Sequence, residues 1–170
     1  MITPTSSSRT VRFADFPTLT AALDFAATGE TGINLYSLRG ELVEALPYAR
    51  LREQALALAP RLLATGARPG ASVGLIADTE ADFVRAFFAC QYAGLVPAPL
   101  PLPAPLGGRD AYVEQIARML DSAHAKVLIG PAGMKDWVAE VAAKAPLNFA
   151  GALADLPDSK GDALPDVAPD

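Results

Sequence analysis

The chain has 170 residues, with 14 basic and 19 acidic side chains, and its formal net charge at pH 7 is −5. This charge, without any run of Lys or Arg, argues against a nucleic-acid-binding protein, because phosphate backbones are bound by clustered cations. Apolar residues make up 51% of the sequence. A chain of this size and composition is long enough for one domain with a well-filled core.

The cysteine content and the first residues bear on the cell compartment. Cys90 is the only cysteine, which excludes an internal disulfide, and its place among phenylalanines indicates a small core residue. No stretch of the sequence approaches a transmembrane span, and residues 1–8 lack the apolar centre of a signal peptide. We therefore predict a cytoplasmic protein.

The chain is predicted to begin with a flexible leader, residues 1–12, followed by a short helix. Phe13 and Phe16 are predicted to anchor the chain where it joins the fold. Thr18 is suited to cap the helix, because its hydroxyl can accept a backbone N–H group of the first turn. The apolar face of this helix comprises Leu19, Ala22, Leu23 and Ala26.

Two short segments, 32–36 and 41–45, flank a loop that contains Gly40. Apolar segments joined by a short glycine-containing loop predict a β-hairpin. No helical segment separates the two strands, whereas parallel strands need a long crossover between them. The hairpin is therefore predicted to stand apart from the parallel sheet of the later sequence.

A longer helix is predicted from Tyr48 to about Thr65, with Pro47 at its first position. Its buried stripe is formed by apolar residues at helical spacing: Leu51, Ala55, Leu58, Leu62 and Leu63. Pro60 lies inside this helix and is predicted to kink it, or to break it near Ala59. The reason is that proline lacks the backbone donor and its ring clashes with the preceding turn.

A strand–helix–strand unit follows. Residues 73–77 form an apolar run that is typical of a strand covered on both faces. Thr79 is predicted to cap the next helix, with Asp82 at its third position. Gly94 is predicted to end that helix in the left-handed conformation, and the second strand starts at Leu95.

Prolines occupy alternate positions after the start of this second strand: Pro97, Pro99, Pro101, Pro103 and Pro105. Alternate residues of a strand direct their N–H groups to the same edge, so these prolines remove donors from one edge only. We predict a stiff, extended arm that pairs on one side at most and leaves the sheet.

Helices and strands alternate over the remaining sequence. The patterns predict a helix at 111–122, a strand at 126–129, a helix at 134–144 and a weaker strand at 147–150. The acidic, proline-rich segment 157–170 is typical of a linker. The predicted fold class is α/β, with a mostly parallel sheet, flanking helices and a small β-hairpin.

No catalytic constellation can be assembled from these residues. His124 is the only histidine, and without a second His or a Cys partner it does not indicate a metal site. Asp78, Glu80 and Asp82 cluster at a predicted helix start, where carboxylates complement the helix dipole. A carboxylate pair for acid–base chemistry is the alternative interpretation of this cluster.

Gly107, Gly108 and Arg109, which lead into a helix, are the best candidates for a binding site. Free backbone N–H groups at a helix start, together with one guanidinium, could hold a phosphate or a carboxylate. A plain turn that returns the proline arm to the sheet is the alternative. Neither GxxxxGK[ST] nor GxGxxG occurs in the sequence, so the common nucleotide-binding fingerprints are absent.

An ordered series of segments resembles the N-terminal part of an adenylate-forming acyl ligase. It covers roughly residues 13–156 and rests on the order of the segments, since no short motif among them is diagnostic. The proline-rich continuation is similar to the branch that contains fatty acyl-AMP ligases and long-chain acyl-CoA synthetases. The segments are Phe16–Leu19, Leu46–Tyr48 with Leu51–Arg52, Leu63–Gly70, Val73–Ile76, Asp82–Phe83, Phe87–Gly94 and Val96–Pro97.

The resemblance implies that the full-length enzyme joins a fatty or similar carboxylic acid to ATP, with release of pyrophosphate. The acyl group of acyl-AMP then passes to a thiol of coenzyme A or of an acyl carrier protein. ATP and Mg²⁺ are thus implied as cofactors of the full-length enzyme, and none for this part of it. The family's Ser/Thr/Gly-rich phosphate loop and C-terminal lysine do not occur in the chain, so the resemblance assigns it no catalytic residue.

We therefore predict a leader at 1–12, an α/β N-terminal subdomain at 13–156 and an acidic tail at 157–170. The chain is predicted to be an inactive fragment whose partner is the rest of the ligase, with an exposed apolar patch and possible self-association. Two alternatives stay open. One is a stand-alone, non-catalytic module that binds a partner protein or an acyl ligand, and the other is a flavodoxin-like nucleotide-binding module.

Overall fold

The computed structural model describes residues 12–13, 15–104, 107–159 and 164–165. Nearly all of the predicted leader, Pro105 and most of the predicted tail lie outside the described residues. The helices are α1 (Leu19–Ala26), α2 (Tyr48–Leu63), α3 (Ala81–Tyr92), α4 (Arg109–Ser122) and α5 (Lys135–Lys144). The strands are β1 (Gly32–Tyr36), β2 (Leu42–Pro47), β3 (Ser72–Ile76), β4 (Val96–Leu100), β5 (Val127–Ile129) and β6 (Phe149–Gly151).

Four of these strands form a parallel sheet in the order β4-β3-β5-β6. β1 and β2 form a separate antiparallel hairpin, in which Gly32 is opposite Pro47 and Leu35 is opposite Glu44. The predicted fold class, with a hairpin that stands apart from the parallel sheet, is confirmed.

Helices cover both faces of the parallel sheet, because alternate strand residues point to opposite sides. Val127 and Ile129 of β5 belong to the core cluster formed with α1, α2 and α3. Leu128, between them, belongs to the cluster formed with α4 and α5. The residues of β5 are therefore buried on both faces, which accounts for their continuous apolar run.

Only one of the two phenylalanines that were predicted to anchor the start of the chain packs against the fold. Phe16 contacts Phe25 of α1, with 5.4 Å between the ring centroids, whereas Phe13 is 90% exposed and is not an anchor. The backbone turns at Asp15, whose N–H donates to the Phe13 carbonyl. This turn places the Arg12 guanidinium, rather than a second ring, over Phe16 at 4.2 Å from the centroid.

Two of the three residues predicted to begin or end α1 and α3 do so in the structure. The Thr18 hydroxyl accepts the N–H of Ala21 at 3.0 Å, as predicted for an N-cap, and Gly94 has a φ of 67°. The predicted Thr79 cap is wrong, because Glu80 is the N-cap of α3. The Asp78 carboxylate accepts the Thr79 N–H at 2.6 Å, and this turn starts the helix one residue later.

α2 continues through Pro60 to Leu63, so the predicted break near Ala59 is wrong. The proline lies close to the C-terminal end of the helix, where it removes a single backbone donor. Ala59 and Leu62 on either side are fully buried. The packing of these residues therefore outweighs the cost of one missing hydrogen bond. Pro47 ends β2 and is the N-cap of α2 rather than its first residue.

The first prolines of the arm belong to β4, the edge strand of the sheet. The Val96 N–H donates to the Ala71 carbonyl at 3.0 Å, and the Leu100 carbonyl accepts the Ala77 N–H at 2.9 Å. Pro97 and Pro99 therefore face the open edge, where no donor is needed. Pairing on one side is confirmed, but the arm leaves the sheet only after Leu100.

Side-chain hydrogen bonds to backbone carbonyls fix the segments that follow β4 and β6. The Tyr112 hydroxyl donates to the Pro101 carbonyl at 3.0 Å, which ties the arm to α4. Arg61 of α2 donates to the carbonyls of Pro157 and Ala154, both at 3.3 Å. Leu164, within the predicted tail, packs against the core on the α2 side.

Candidate functional site

The predicted anion site, Gly107, Gly108 and Arg109, lies at the N-terminus of α4. Gly108 is the N-cap of the helix, and its carbonyl accepts the N–H of Tyr112 at 3.1 Å. The Gly107 N–H donates to the Ala104 carbonyl at 2.9 Å, which closes a turn between the arm and the helix. The three residues thus adjoin one another at a helix start, where an anion would meet the positive end of the dipole.

The Arg109 guanidinium is paired with α5. Its Nη2 lies 2.7 Å from Glu140 Oε1, and its Nε donates to Oε2 at 3.1 Å. Its Cζ also lies 5.0 Å from the centroid of the Trp137 ring. A phosphate would have to compete with the Glu140 carboxylate for this cation, so anion binding at Gly107, Gly108 and Arg109 stays a prediction.

Replacement Glu140→Gln tests the competition at this helix start. We expect inorganic phosphate to perturb the amide signals of Gly108 and Arg109 more strongly in the variant, because the neutral amide releases the guanidinium. The free energy of unfolding should fall by only about 0.5–1 kcal/mol, since the pair is exposed. Heteronuclear NMR titration measures the first effect and urea unfolding the second. Equal phosphate responses in both proteins would mean that Arg109 takes no part in an anion site.

The carboxyl ends of β3 and β5 mark the point where α/β sheets usually bind ligands. The chain passes from β3 to its neighbour β4 and then crosses to β5 on the opposite side of β3. Ligands of open α/β sheets bind in the crevice at such a switch point. Here the crevice between Ile76 and Gly130 encloses about 20 Å³, which is room for about one water molecule.

Carboxylates border this crevice. Asp78, Glu80 and Asp82 contribute to its lining, together with apolar residues and no cation. Asp82 is paired with Arg85 at 2.8 Å, and Asp78 accepts a backbone N–H. The negative charge of these side chains would repel a phosphate, and a carboxylate pair for acid–base chemistry stays a prediction. The helix-start interpretation of this cluster agrees with the geometry.

Two side-chain networks, one centred on Asp24 and one on Arg85, connect distant segments, and the sequence patterns did not reveal either. Asp24 accepts hydrogen bonds from the Tyr92 hydroxyl and from Arg52 Nε, both at 2.6 Å, which joins α1, α2 and α3. Arg85 contacts Glu44 and donates to Gln54 Oε1 at 2.8 Å, which ties the hairpin to α2 and α3. Both networks position elements of the scaffold. The only local signal for either was the spacing of Asp82 and Arg85.

Cys90 and His124 do not belong to a metal site in the described part of the chain. Cys90 is buried, and burial raises the pKa of its thiol to about 12. His124 lies between α4 and β5 with a φ of 51°. Among the described residues, no three His, Cys, Asp or Glu side chains meet as a metal site would require. The described helices also include none with the length and apolar character needed to cross a membrane.

Alkaline pH is expected to destabilise the fold. Burial raises the pKa of Cys90 from 9.0 to about 12 and the pKa of Tyr112 from 10.0 to about 12. Between these values the folded chain keeps protons that the unfolded chain loses, so unfolding becomes easier as the pH rises. The unfolding temperature measured from pH 8 to pH 11 should fall above about pH 9, and less steeply in Cys90→Ala. A flat profile over this range would contradict the burial of both groups.

Comparison with known proteins decides the family. The sequence profile of the AMP-binding enzyme family matches residues 32–167. This chain belongs to the AMP-binding enzyme family. The AMP-binding chain is 72% identical, over all 170 of its residues, to the "Putative acyl-CoA synthetase" of Caulobacter vibrioides, and it spans 30% of that protein's length. The predicted resemblance to adenylate-forming acyl ligases is confirmed.

Solved structures show the same relationship. One chain from a study of fatty acyl-adenylate ligases from E. coli and L. pneumophila is 38% identical, with a TM-score of 0.84; the match covers 93% of the AMP-binding chain and 29% of the solved one. The McyG A-PCP structure with phenylalanyl-adenylate is 22% identical, with a TM-score of 0.74 and coverage of 89% and 28%. The second match shows the shared fold alone.

Proposed function

We propose that this chain is the N-terminal part of an ATP-dependent ligase that activates a fatty or similar carboxylic acid as acyl-AMP. The ligase then passes the acyl group to a thiol of coenzyme A or of a carrier protein. The observation that carries this proposal is the 72% identity, along the whole chain, to the Caulobacter protein named "Putative acyl-CoA synthetase". The 38% identity to a chain from the study of fatty acyl-adenylate ligases supports the acyl-AMP step.

The described residues act as scaffold in this proposal, and the crevice beside β3 does not fit ATP. Acyl adenylation needs cations and Mg²⁺ around a triphosphate, because negative charge builds up on the phosphates. The crevice at the carboxyl ends of β3 and β5 is lined by three carboxylates and has room for about one water molecule. The phosphate-binding groups are therefore assigned to the rest of the ligase, and the 170 residues are expected to be inactive alone.

Exchange of labelled pyrophosphate into ATP, with a fatty acid present, tests the proposal. The 170-residue chain should show no exchange above background. The chain extended by the remainder of its reading frame, or by the unmatched part of the Caulobacter relative, should catalyse exchange that depends on the fatty acid. Omission of the acid and of Mg²⁺ provides the controls.

Two results would contradict the proposal. Acid-dependent exchange by the 170 residues alone would mean that the described scaffold carries its own ATP site. A correctly folded, extended chain that exchanges with none of a panel of fatty and other carboxylic acids would exclude the ligase. The latter result would favour a non-catalytic module that binds a partner protein or an acyl ligand.

A further inference from the structure

One arginine holds the turn that follows β6, residues 153–157, which we call the clamped turn. Arg61 of α2 donates from Nε to the Pro157 carbonyl and from Nη2 to the Ala154 carbonyl, each at 3.3 Å. The same Nη2 also donates to the Leu156 carbonyl. A guanidinium carries five N–H donors in a fixed, planar fork, so it can hold several carbonyls of one turn at once.

The clamped turn contacts the helices on both faces of the parallel sheet. Leu153 and Leu156 are buried in the core cluster formed with α1, α2 and α3. On the other face, Lys135 begins α5, and its Nζ lies 3.1 Å from the Asp155 carboxylate. Packing and this ion pair therefore bring the turn close to Arg61, which then fixes the backbone within it.

The partners of Arg61 distinguish it from the paired arginines of the scaffold. Arg52, Arg85 and Arg109 contact carboxylates, whereas Arg61 donates to carbonyls of the main chain. A carboxylate can change position by rotation of its side chain, but a backbone carbonyl moves only with the chain. The three bonds of Arg61 therefore fix the path of the polypeptide rather than the position of one side chain.

We propose that Arg61 is a positioning residue of the ligase, because it sets the path by which the polypeptide leaves the scaffold. This inference rests on the proposed function, which assigns the phosphate-binding groups to the rest of the ligase. The family profile continues beyond the clamped turn to residue 167, and Leu164 packs against the core on the α2 side. In the ligase, the clamped turn lies between the scaffold and the part that binds ATP. A displacement of about 1 Å in reacting groups can slow a reaction about 100-fold.

Two replacements separate the charge of Arg61 from its hydrogen-bonding geometry. Arg61→Met keeps an unbranched apolar side chain but removes every donor, whereas Arg61→Lys keeps the charge and loses the planar fork. Arg50→Met is the matched control, because Arg50 is an exposed arginine of the same helix.

Hydrogen exchange measured by NMR in the 170-residue chain shows whether Arg61 holds the clamped turn. The N–H groups of Asp155 and Leu156 each donate to the carbonyl three residues earlier. We expect both amides to exchange at least about tenfold faster in Arg61→Met, because the turn opens locally without the guanidinium. Arg61→Lys should give intermediate rates. Exchange in β3 and β5 should stay unchanged, as should all exchange in Arg50→Met.

Pyrophosphate exchange by the extended chain tests the effect on the reaction. We expect Arg61→Met to raise the KM for ATP at least about tenfold, because the ATP-binding part is no longer held in place against the scaffold. Arg61→Lys should raise this KM less, and Arg50→Met should keep the wild-type value. A loss of folded protein would lower the apparent kcat and leave KM unchanged, so the rise in KM separates positioning from stability.

Two results would overturn this inference alone. Unchanged hydrogen exchange at Asp155 and Leu156 in Arg61→Met would mean that the turn is held without the guanidinium. A looser turn with a wild-type KM for ATP would mean that Arg61 stabilises the scaffold and does not position the rest of the ligase. An extended wild-type chain that exchanges no pyrophosphate would contradict the proposed function itself and, with it, the inference that rests on it.

Discussion

Leu128→Ala is expected to lower the free energy of unfolding by about 3–5 kcal/mol. Leu128 is fully buried in β5, which pairs with β3 on one side and β6 on the other. Its neighbour in β3 is Gly74, which has no side chain to fill a space left by leucine. Because strands on both sides restrain the backbone, the cavity left by the leucine side chain should stay open. The full free-energy cost of that cavity should then be measured.

Urea unfolding followed by tryptophan fluorescence measures this loss. Trp137, the only tryptophan, packs against the same core cluster as Leu128 and reports its disruption. Leu102→Ala is the control, because this leucine is 41% exposed and its removal should change stability by less than about 0.5 kcal/mol. A loss below about 1 kcal/mol for Leu128→Ala would mean that the site can repack.

Gly32→Ala is expected to lower the free energy of unfolding by about 2–4 kcal/mol, through the hairpin. A Cβ atom at position 32 would lie 2.3 Å from the Leu46 carbonyl oxygen and 2.7 Å from the Pro47 Cα. Both contacts are with backbone atoms of the paired strand, which cannot rotate away as a side chain can. The two strands must therefore separate at the start of β1.

Hydrogen exchange locates this effect, and urea unfolding measures its size. The amide protons of β1 and β2 should exchange faster in Gly32→Ala, while those of β3 and β5 should be less affected. Gly133→Ala is the matched control, because a Cβ built at position 133 meets no atom within 4 Å from other parts of the chain. If the two variants are equally stable, the close pairing of Gly32 with Pro47 is wrong.

Local patterns succeeded where a few neighbouring residues decide the conformation. The bounds of β1 agree with the predicted segment 32–36, and Gly94 has a positive φ where the end of α3 was predicted. A left-handed residue after a helix needs only the absence of a side chain, and a buried strand needs only an apolar run. Such requirements are contained within one segment of the sequence.

The candidate anion site shows which contacts local sequence patterns cannot predict. Gly107, Gly108 and Arg109 were correctly placed at a helix start. The pairing of Arg109 with Glu140 spans 31 residues, so nothing near Arg109 predicted it. A guanidinium can pair with any carboxylate that the fold brings within reach, and the sequence does not rank these partners.

The amino-acid sequence by itself determined the α/β class, the separate hairpin and the family, because apolar periodicity, turn residues and an ordered series of segments all act along the chain. Only the tertiary structure decided that Pro60 stays inside α2, that Phe13 is exposed and that carboxylates border the crevice beside β3. Each of these outcomes depends on packing between residues far apart in sequence, which can outweigh a local preference of a few kcal/mol.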